Sequence, residues 1–174
     1  MVSRKVKILN RRFDSCPDCK KNKFGQFKKS SYLYSMKSKT PLNTLTEKEI
    51  TKLTKFCLMY CEMTFGINKR KRRKLTVKVK GSCRPQPKTF GWYDSIKHTI
   101  TLFTKRCKTV GEFTSTFIHE YTHSMQPCRT QYMKLYKIHG YVNHPFEIQA
   151  YATEKVYNKK LLNTLRKSYQ LINQ

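Results

Sequence analysis

Apolar residues recur at helical spacing in two stretches of the chain, each behind a Thr-x-x-Glu capping box. The first box, Thr46–Glu49, predicts a helix that runs to about Phe65 and stops at Gly66. The second box, Thr109–Glu112, predicts a helix that Pro127 closes. The pattern therefore predicts two helices that each begin at a capping box.

Three short segments alternate polar and apolar residues and are predicted to be strands: Leu75–Lys80, Thr89–Tyr93 and His98–Phe103. Asp94 and Ser95 favour a hairpin turn between the last two strands. A short helix is predicted over Gln131–Ile138, and a last helix from Pro145 towards Leu171. The order of elements predicts an α+β domain in which a small antiparallel or mixed sheet packs on the second helix and the C-terminal helix.

Composition adds a strong positive charge to this picture. The chain has 174 residues, with 37 Lys and Arg against 10 Asp and Glu, a formal net charge of +27. Hydrophobic residues make up 38% and aromatic residues 13%, which is enough for a core and excludes wholesale disorder. We therefore expect a basic N-terminal segment, residues 1–40, followed by one folded domain, residues 41–174.

The densest charge is a run of six adjacent cations: Lys69, Arg70, Lys71, Arg72, Arg73 and Lys74. Because like charges repel and are costly to bury, the run is predicted to be an exposed loop or strand edge. It favours contact with nucleic acid, or use as a nuclear-import signal. A solvated charge run without a partner is the alternative.

Membrane and secretion signals are missing from the sequence pattern. No run approaches the roughly 18 apolar residues of a membrane span, and the interrupted pattern of Met1–Phe13 does not indicate a signal peptide. Seven cysteines, an odd number, and the lack of an Asn-x-Ser/Thr sequon favour a reducing environment. The expected location is the cytoplasm or nucleus, or a virion, with no membrane partner.

Two cysteine pairs have different expected roles. Cys16 and Cys19 have zinc-knuckle spacing, but no matching second pair is evident for a four-ligand site. Cys57 and Cys61 lie four apart on the apolar face of the first helix, so they are predicted to be core thiols.

The second helix carries the motif His119-Glu120-Tyr121-Thr122-His123. Residues four apart lie on one helical face with Cβ atoms about 6 Å apart, so the two imidazoles can converge on one Zn2+. Glu120 lies one position further round the helix and can take a proton from a water that the metal activates. In the alternative interpretation, the two histidines are paired with other polar groups and bind no metal.

A catalytic zinc site needs a third protein ligand, and three residues downstream can supply one. Glu147 is favoured because the first turn of a helix holds a carboxylate more rigidly than a loop does. His139 precedes Gly140 in a predicted loop, and His144 precedes Pro145, which biases it towards an extended conformation. All three stay open on spacing alone.

Two segments carry a family resemblance: residues 117–126 (FIHEYTHSMQ) and residues 143–152 (NHPFEIQAYA). With the Gly-Trp-Tyr-Asp hairpin and the strand before them, they resemble small gluzincin-type zinc metallopeptidases. Compact peptidases of large DNA viruses and phages belong to that group. The resemblance covers roughly residues 89–155.

The resemblance implies a zincin-like fold, zinc ligands at His119, His123 and Glu147, and Glu120 as general base. It also implies that the strand His98–Phe103 pairs with an extended peptide substrate.

Two features depart from the pattern. Thermolysin-like gluzincins place an acidic residue four positions after the ligand Glu to orient a histidine, and Tyr151 stands there in this chain. His139-Gly140 also resembles the third-ligand segment of SprT-like proteases, which act on DNA-crosslinked proteins. The donor that would stabilise the oxyanion stays open among Tyr141, His144 and Tyr151.

Two classes of function follow from these patterns. One is a zinc peptidase that acts on a protein or peptide substrate and is associated with nucleic acid or a virion, with an SprT-like crosslink protease as a variant. The other is a basic DNA- or virion-associated protein whose zinc site is not catalytic. Residues 91–154 carry a net charge of only +2, so the basic segments indicate where the protein works rather than its reaction.

Overall fold

The computed structural model describes residues 37–71, 73–81, 89–127 and 129–170. Most of the basic N-terminal segment, with the Cys16 and Cys19 pair, lies outside these residues, as does Arg72 of the basic run. Within the described part of the chain, no helix combines the length and the apolar character that crossing a membrane requires.

The described residues form four α-helices and three strands, in the order α1 Glu47–Phe65, β1 Thr76–Lys80, β2 Gly91–Asp94, β3 Thr99–Phe103, α2 Val110–Met125, α3 Arg129–His139 and α4 Pro145–Gln170. A short 3-10 helix, Leu42–Thr44, precedes α1. The predicted α+β class and order of elements are confirmed. His139, which the sequence places in a loop, is instead the last residue of α3.

The two predicted capping boxes have different outcomes. At α1 both bonds form: the Glu49 amide donates to Thr46 Oγ1 over 3.3 Å, and the Thr46 amide donates to Glu49 Oε2 over 2.8 Å. At α2 the Glu112 amide donates to Thr109 Oγ1, but the Glu112 carboxylate accepts from the Lys108 amide instead. A β-bridge with residue 41 lies at this helix start, and its hydrogen bonds use the Lys108 carbonyl and the Val110 amide on either side of Thr109.

The sheet is mixed, with the strand order β1-β3-β2. Strand β3 lies parallel to β1 and antiparallel to β2, and both neighbours pair along nearly its whole length. The expectation that His98–Phe103 pairs with a substrate is therefore wrong, because both edges of that strand are already occupied. The free edge near the second helix belongs to β2.

Helix α2 lies at the centre of the fold and contacts α1, α4, β2 and β3. Fully buried apolar side chains of these elements form the core: Leu53, Phe56, Ile100, Leu102, Phe113, Phe117, Ile118, Leu161 and Leu165. Cys57 and Cys61 are completely buried free thiols on α1, which confirms their prediction as core residues. Burial raises the pKa of both thiols, so neither is a reactive thiolate.

Gly111 lets the segment before α1 pack against the start of α2. Its amide donates to the Ser38 carbonyl over 2.9 Å. A Cβ atom at this position would lie only 2.7 Å from the same carbonyl oxygen, well inside a normal contact. The close approach therefore requires glycine and fixes the N-terminal end of the helix that carries the His-Glu-x-x-His motif.

Gly111→Ala is predicted to destabilise the fold. The clash involves backbone on both sides, so we expect the free energy of unfolding to fall by about 1–2 kcal/mol, although alanine is the better helix former. Urea denaturation followed by circular dichroism measures the change. Gly81→Ala is the matched control, because a Cβ there meets only the Lys105 side chain at 3.7 Å. Equal stability of the two variants would contradict this account of the packing.

Candidate metal centre

Three side chains from two helices converge on one point. His119 and His123 lie one turn apart on α2, and their Nε2 atoms are 3.1 Å from each other. Glu147, in the first turn of α4, places Oε2 3.4 Å from His119 Nε2 and Oε1 3.5 Å from His123 Nε2. The three residues form a group that could hold a metal ion, with all ligand atoms within 4.8 Å of one another.

Hydrogen bonds on the far side of each imidazole fix its orientation. His119 Nδ1 lies 3.1 Å from Glu154 Oε2, and His123 Nδ1 lies 2.7 Å from Gln126 Oε1. The Gln126 amide nitrogen donates to the Phe146 carbonyl over 2.9 Å, so its oxygen must face the histidine. Both acceptors require a proton on Nδ1, which leaves the two Nε2 lone pairs free to bind a cation.

Glu154 is a functional residue that the sequence interpretation missed. The expected position for an orienting carboxylate was four residues after Glu147, where Tyr151 packs its ring edge-on against His119 at 4.7 Å between centroids. Glu154 lies seven residues after Glu147, two helical turns along the same face. The sequence contains this spacing, but the orienting carboxylate was expected only at four residues after Glu147.

Tyr132 and His144 hold the Glu147 carboxylate and the start of α4. The Tyr132 hydroxyl donates to Glu147 Oε1 over 2.9 Å, and its ring stacks on His144 with 4.0 Å between centroids. His144 Nε2 donates to the Tyr132 carbonyl, and its Nδ1 accepts from the Phe146 amide. His144 is completely buried with both ring nitrogens engaged, whereas His139 is exposed, so neither joins the group.

Glu120 lies beside the group without belonging to it. Its side chain is buried, and a hydrogen bond from the Tyr93 backbone ties it to β2. Burial raises the pKa of Glu120, although the neighbouring His123 and His119 act to lower it. The carboxyl therefore holds a proton more readily than an exposed glutamate does.

The pKa values of His119 and Glu147 shift in opposite directions because the two side chains bond to each other. Burial acts to lower the pKa of His119, but the hydrogen bonds to Glu147 and Glu154 outweigh it and raise the pKa to about 9. Burial would raise the pKa of Glu147, yet its hydrogen bonds with His119 and His123 hold that pKa well below its usual range. At neutral pH the His119 imidazole is therefore protonated, and the Glu147 carboxylate beside it is ionised.

The group lies in a cleft that runs along β2. A cavity of about 740 Å³ contains all three residues, and a second of about 480 Å³ adjoins it and shares His119, Glu120 and Gly91. A Cβ at Gly91 would lie 3.0 Å from the Thr101 carbonyl and from Thr116 on α2, so glycine lets the strand lie close to the helix.

Most described carboxylates line this cleft, although the chain is strongly basic. Five of them line the two cavities: Asp94, Glu112, Glu120, Glu147 and Glu154. The candidate oxyanion donor Tyr141 lines both cavities and bonds to Tyr151, the second candidate. The third, His144, is occupied by the two hydrogen bonds described above.

One residue of the basic run contacts the β2–β3 hairpin. Lys69, Arg70, Arg73 and Lys74 are exposed. Lys71 is half-buried, however, and its Nζ donates to the Ser95 carbonyl over 3.0 Å. Full exposure of the run is therefore wrong at Lys71, because a hairpin carbonyl satisfies that ammonium group.

His119→Ala is predicted to abolish binding of one metal ion per chain, because it removes one of the three converging ligand atoms. His139→Ala is the matched control, since His139 is exposed and outside the group. Elemental analysis after zinc loading and dialysis measures both variants. Loss of metal in His139→Ala, or full retention in His119→Ala, would contradict the assignment.

The metal affinity is predicted to rise with pH. His119 has a pKa of about 9 in the metal-free protein, so binding below that pH must displace a proton from Nε2. We expect the apparent Kd for zinc to rise by a factor of at least about ten for each pH unit lost between pH 8 and pH 6, because the raised pKa of His123 adds to that of His119. Competition with a chromophoric chelator measures the Kd, and an affinity that does not change over this range would contradict the coupling.

Comparison of the chain with protein-family models, with curated proteins and with solved structures found no match. The gluzincin resemblance therefore stays a prediction. The functional interpretation depends on the geometry of His119, His123, Glu147 and Glu120.

Proposed function

We propose that this protein is a zinc-dependent metallopeptidase with a zincin-like arrangement of its active-site helices. One observation carries the proposal: two imidazole nitrogens and a carboxylate converge beside a buried fourth group, Glu120, which is left out of the cluster. A purely structural zinc site is closed by four protein ligands, whereas three protein ligands leave a position for water or substrate.

The donor set suits zinc. Nitrogen from neutral imidazole and oxygen from a carboxylate are ligands that Zn2+ accepts in tetrahedral catalytic sites. When bound, Zn2+ would supply a Lewis acid that lowers the pKa of a water molecule to about 7. His119, His123 and Glu147 would hold the ion, and Glu154 and Gln126 would keep the two imidazoles in the required tautomer.

Glu120 acts as general base and then as general acid. Burial raises its pKa, which brings the carboxyl closer to the range where one group can both accept and return a proton. It accepts the proton of the attacking water and delivers it to the amine that leaves. The hydrogen bond from the Tyr93 backbone holds the carboxylate between β2 and the cleft during both steps.

Strand β2 is the element that would hold the substrate. The Phe103 amide donates to the Phe90 carbonyl, and antiparallel pairing then directs the Gly91 backbone groups and the Tyr93 carbonyl to the free edge. The Tyr93 amide on that edge is already bonded to Glu120. An extended peptide can add to this edge by main-chain hydrogen bonds. Its carbonyl groups would then pass next to His119 and Glu120, which line both cavities.

The exposed part of the basic run supports an association with nucleic acid. Four exposed cations, Lys69, Arg70, Arg73 and Lys74, lie in a stretch from residue 63 to residue 93 that contains no Asp or Glu. Neutralising phosphates with such a surface gives salt-dependent binding without sequence preference. The exposed position of His139 favours the gluzincin-like site over the SprT-like variant.

Glu120→Gln is predicted to keep zinc and to lose peptide hydrolysis. The substitution removes the proton acceptor and changes none of the three proposed ligands, so we expect kcat to fall by a factor of about 100 or more. Cleavage of a mixed peptide library, read by mass spectrometry, together with elemental analysis measures both properties. Glu62→Gln on α1 is the control for the same change away from the cleft.

Two outcomes would overturn the proposal. Undiminished hydrolysis in Glu120→Gln would refute the mechanism. A zinc-loaded wild-type protein that cleaves no peptide, yet binds DNA with a steep dependence on salt, would favour the non-catalytic alternative.

A further inference from the structure

The two cavities of the cleft differ in chemistry. Away from the metal group, five apolar side chains line the larger cavity: Trp92, Ile96, Pro127, Met133 and Phe146. Two oppositely charged residues, Asp94 and Arg129, also line it. The smaller cavity is lined by polar and acidic side chains of α2 and α4, among them Glu112, Ser115, Thr116 and Glu154, and its rim carries the rings of Phe90, Tyr141 and Tyr151. The cleft therefore has an apolar half and an acidic half, which meet at His119 and Glu120.

The two halves lie at opposite ends of β2. The acidic half includes residues 89–91, at the start of the strand, and the apolar half includes residues 91–96, which run through the strand into the hairpin turn. An added strand pairs most stably in the antiparallel direction. A peptide on the free edge then places its N-terminal part in the apolar half and its C-terminal part in the acidic half.

The apolar half leaves large hydrophobic side chains in contact with water. Ile96 at the hairpin tip is 73% exposed, and Met133 on α3 is 42% exposed. Helix α3 has no buried residue of its own. It is attached to α4 through Tyr132, which also bonds to Glu147 in the metal group. These apolar side chains thus stand beside the metal group, where a substrate side chain would cover them.

The acidic half of the cleft disfavours a large apolar side chain of the substrate. Glu112 and Glu154 would lose hydration beside an apolar group without gaining a partner, which costs free energy. The contrast between the halves fixes which side of the scissile bond carries the hydrophobic residue.

We propose that the cleft selects peptides with a large apolar side chain on the residue immediately before the scissile bond. The inference rests on the proposed peptidase function, because it assigns the substrate class of that site. The residue before the scissile bond also carries the attacked carbonyl, so its side chain in the apolar half would position that carbonyl beside Glu120.

A series of fluorogenic peptides tests the inference. Peptides that differ only at the residue before the scissile bond carry Phe, Leu, Ala or Asp, and a second series varies the residue after it. We expect kcat/KM to be about 10- to 200-fold higher for Phe or Leu than for Ala before the bond, with no such gain after it. Equal rates for Phe and Ala before the bond, or a preference on the other side, would overturn the inference.

Two matched variants test whether Met133 is part of the surface that binds the large apolar side chain of the substrate. Met133→Ser should reduce the advantage of Phe over Ala, because Met133 lines the apolar half. Ile138→Ser is the control, since Ile138 lies on the same helix, is 72% exposed and does not line the cavity. An equal loss of preference in both variants, or in neither, would contradict the assigned surface.

Binding to zinc-loaded Glu120→Gln separates this inference from the proposed function. Fluorescence anisotropy with the same labelled peptides should show tighter binding of the Phe peptide than of the Ala peptide. That preference without any wild-type cleavage would refute the peptidase and leave the apolar docking surface supported. Wild-type cleavage with no preference in rate or binding would refute the surface and leave the peptidase standing. Neither cleavage nor binding would refute both.

Discussion

The close approach of two imidazole nitrogens is the constraint on which the rest of the site depends. His119 Nε2 and His123 Nε2 lie 3.1 Å apart, and each has a Glu147 oxygen within 3.5 Å. Two lone pairs at this distance repel unless a proton or a metal cation lies between them. The geometry therefore requires a positive charge between the two Nε2 atoms. Glu154 and Gln126 each accept an Nδ1 proton on the outer side, so both Nε2 atoms face the centre of the group.

The packing of α2 against α4 maintains this geometry, because the turns that carry the three residues lie against each other. Helix α2 supplies both histidines from the centre of the core, and the first turn of α4 supplies the carboxylate. The Tyr121 hydroxyl donates to the Gly66 carbonyl and so ties α2 to the end of α1. Gly91 and Gly111 allow backbone to approach α2 more closely than any side chain would permit. Core packing and site geometry thus depend on the same helix.

The sequence predicted the features that depend on residues close together in the chain. The capping residues and the i, i+4 spacing placed α2 and brought His119 and His123 to one face, and the rigid start of α4 favoured Glu147. The identity of the edge strand was not predictable in this way, because strand order depends on pairing between distant segments. The partner of His119 was missed for a related reason, since Glu154 reaches it only through the packing of α4 on α2. Gln126 lies three residues after His123, but the Phe146 carbonyl of α4 sets the orientation of its amide. The Lys71 contact with the hairpin likewise depends on tertiary structure.

The net charge of +27 combines basic and acidic residues that lie on different parts of the structure. Most described carboxylates line the cleft around the three residues that could hold a metal ion, and four exposed cations lie on the connection before β1. The central claim is that His119, His123 and Glu147 hold one zinc ion. X-ray absorption spectroscopy of the zinc-loaded 174-residue chain tests it most directly. The account predicts one ion in a shell of nitrogen and oxygen only, with the multiple-scattering signal of two imidazoles. A shell that contains sulfur, or lacks imidazole, would contradict it.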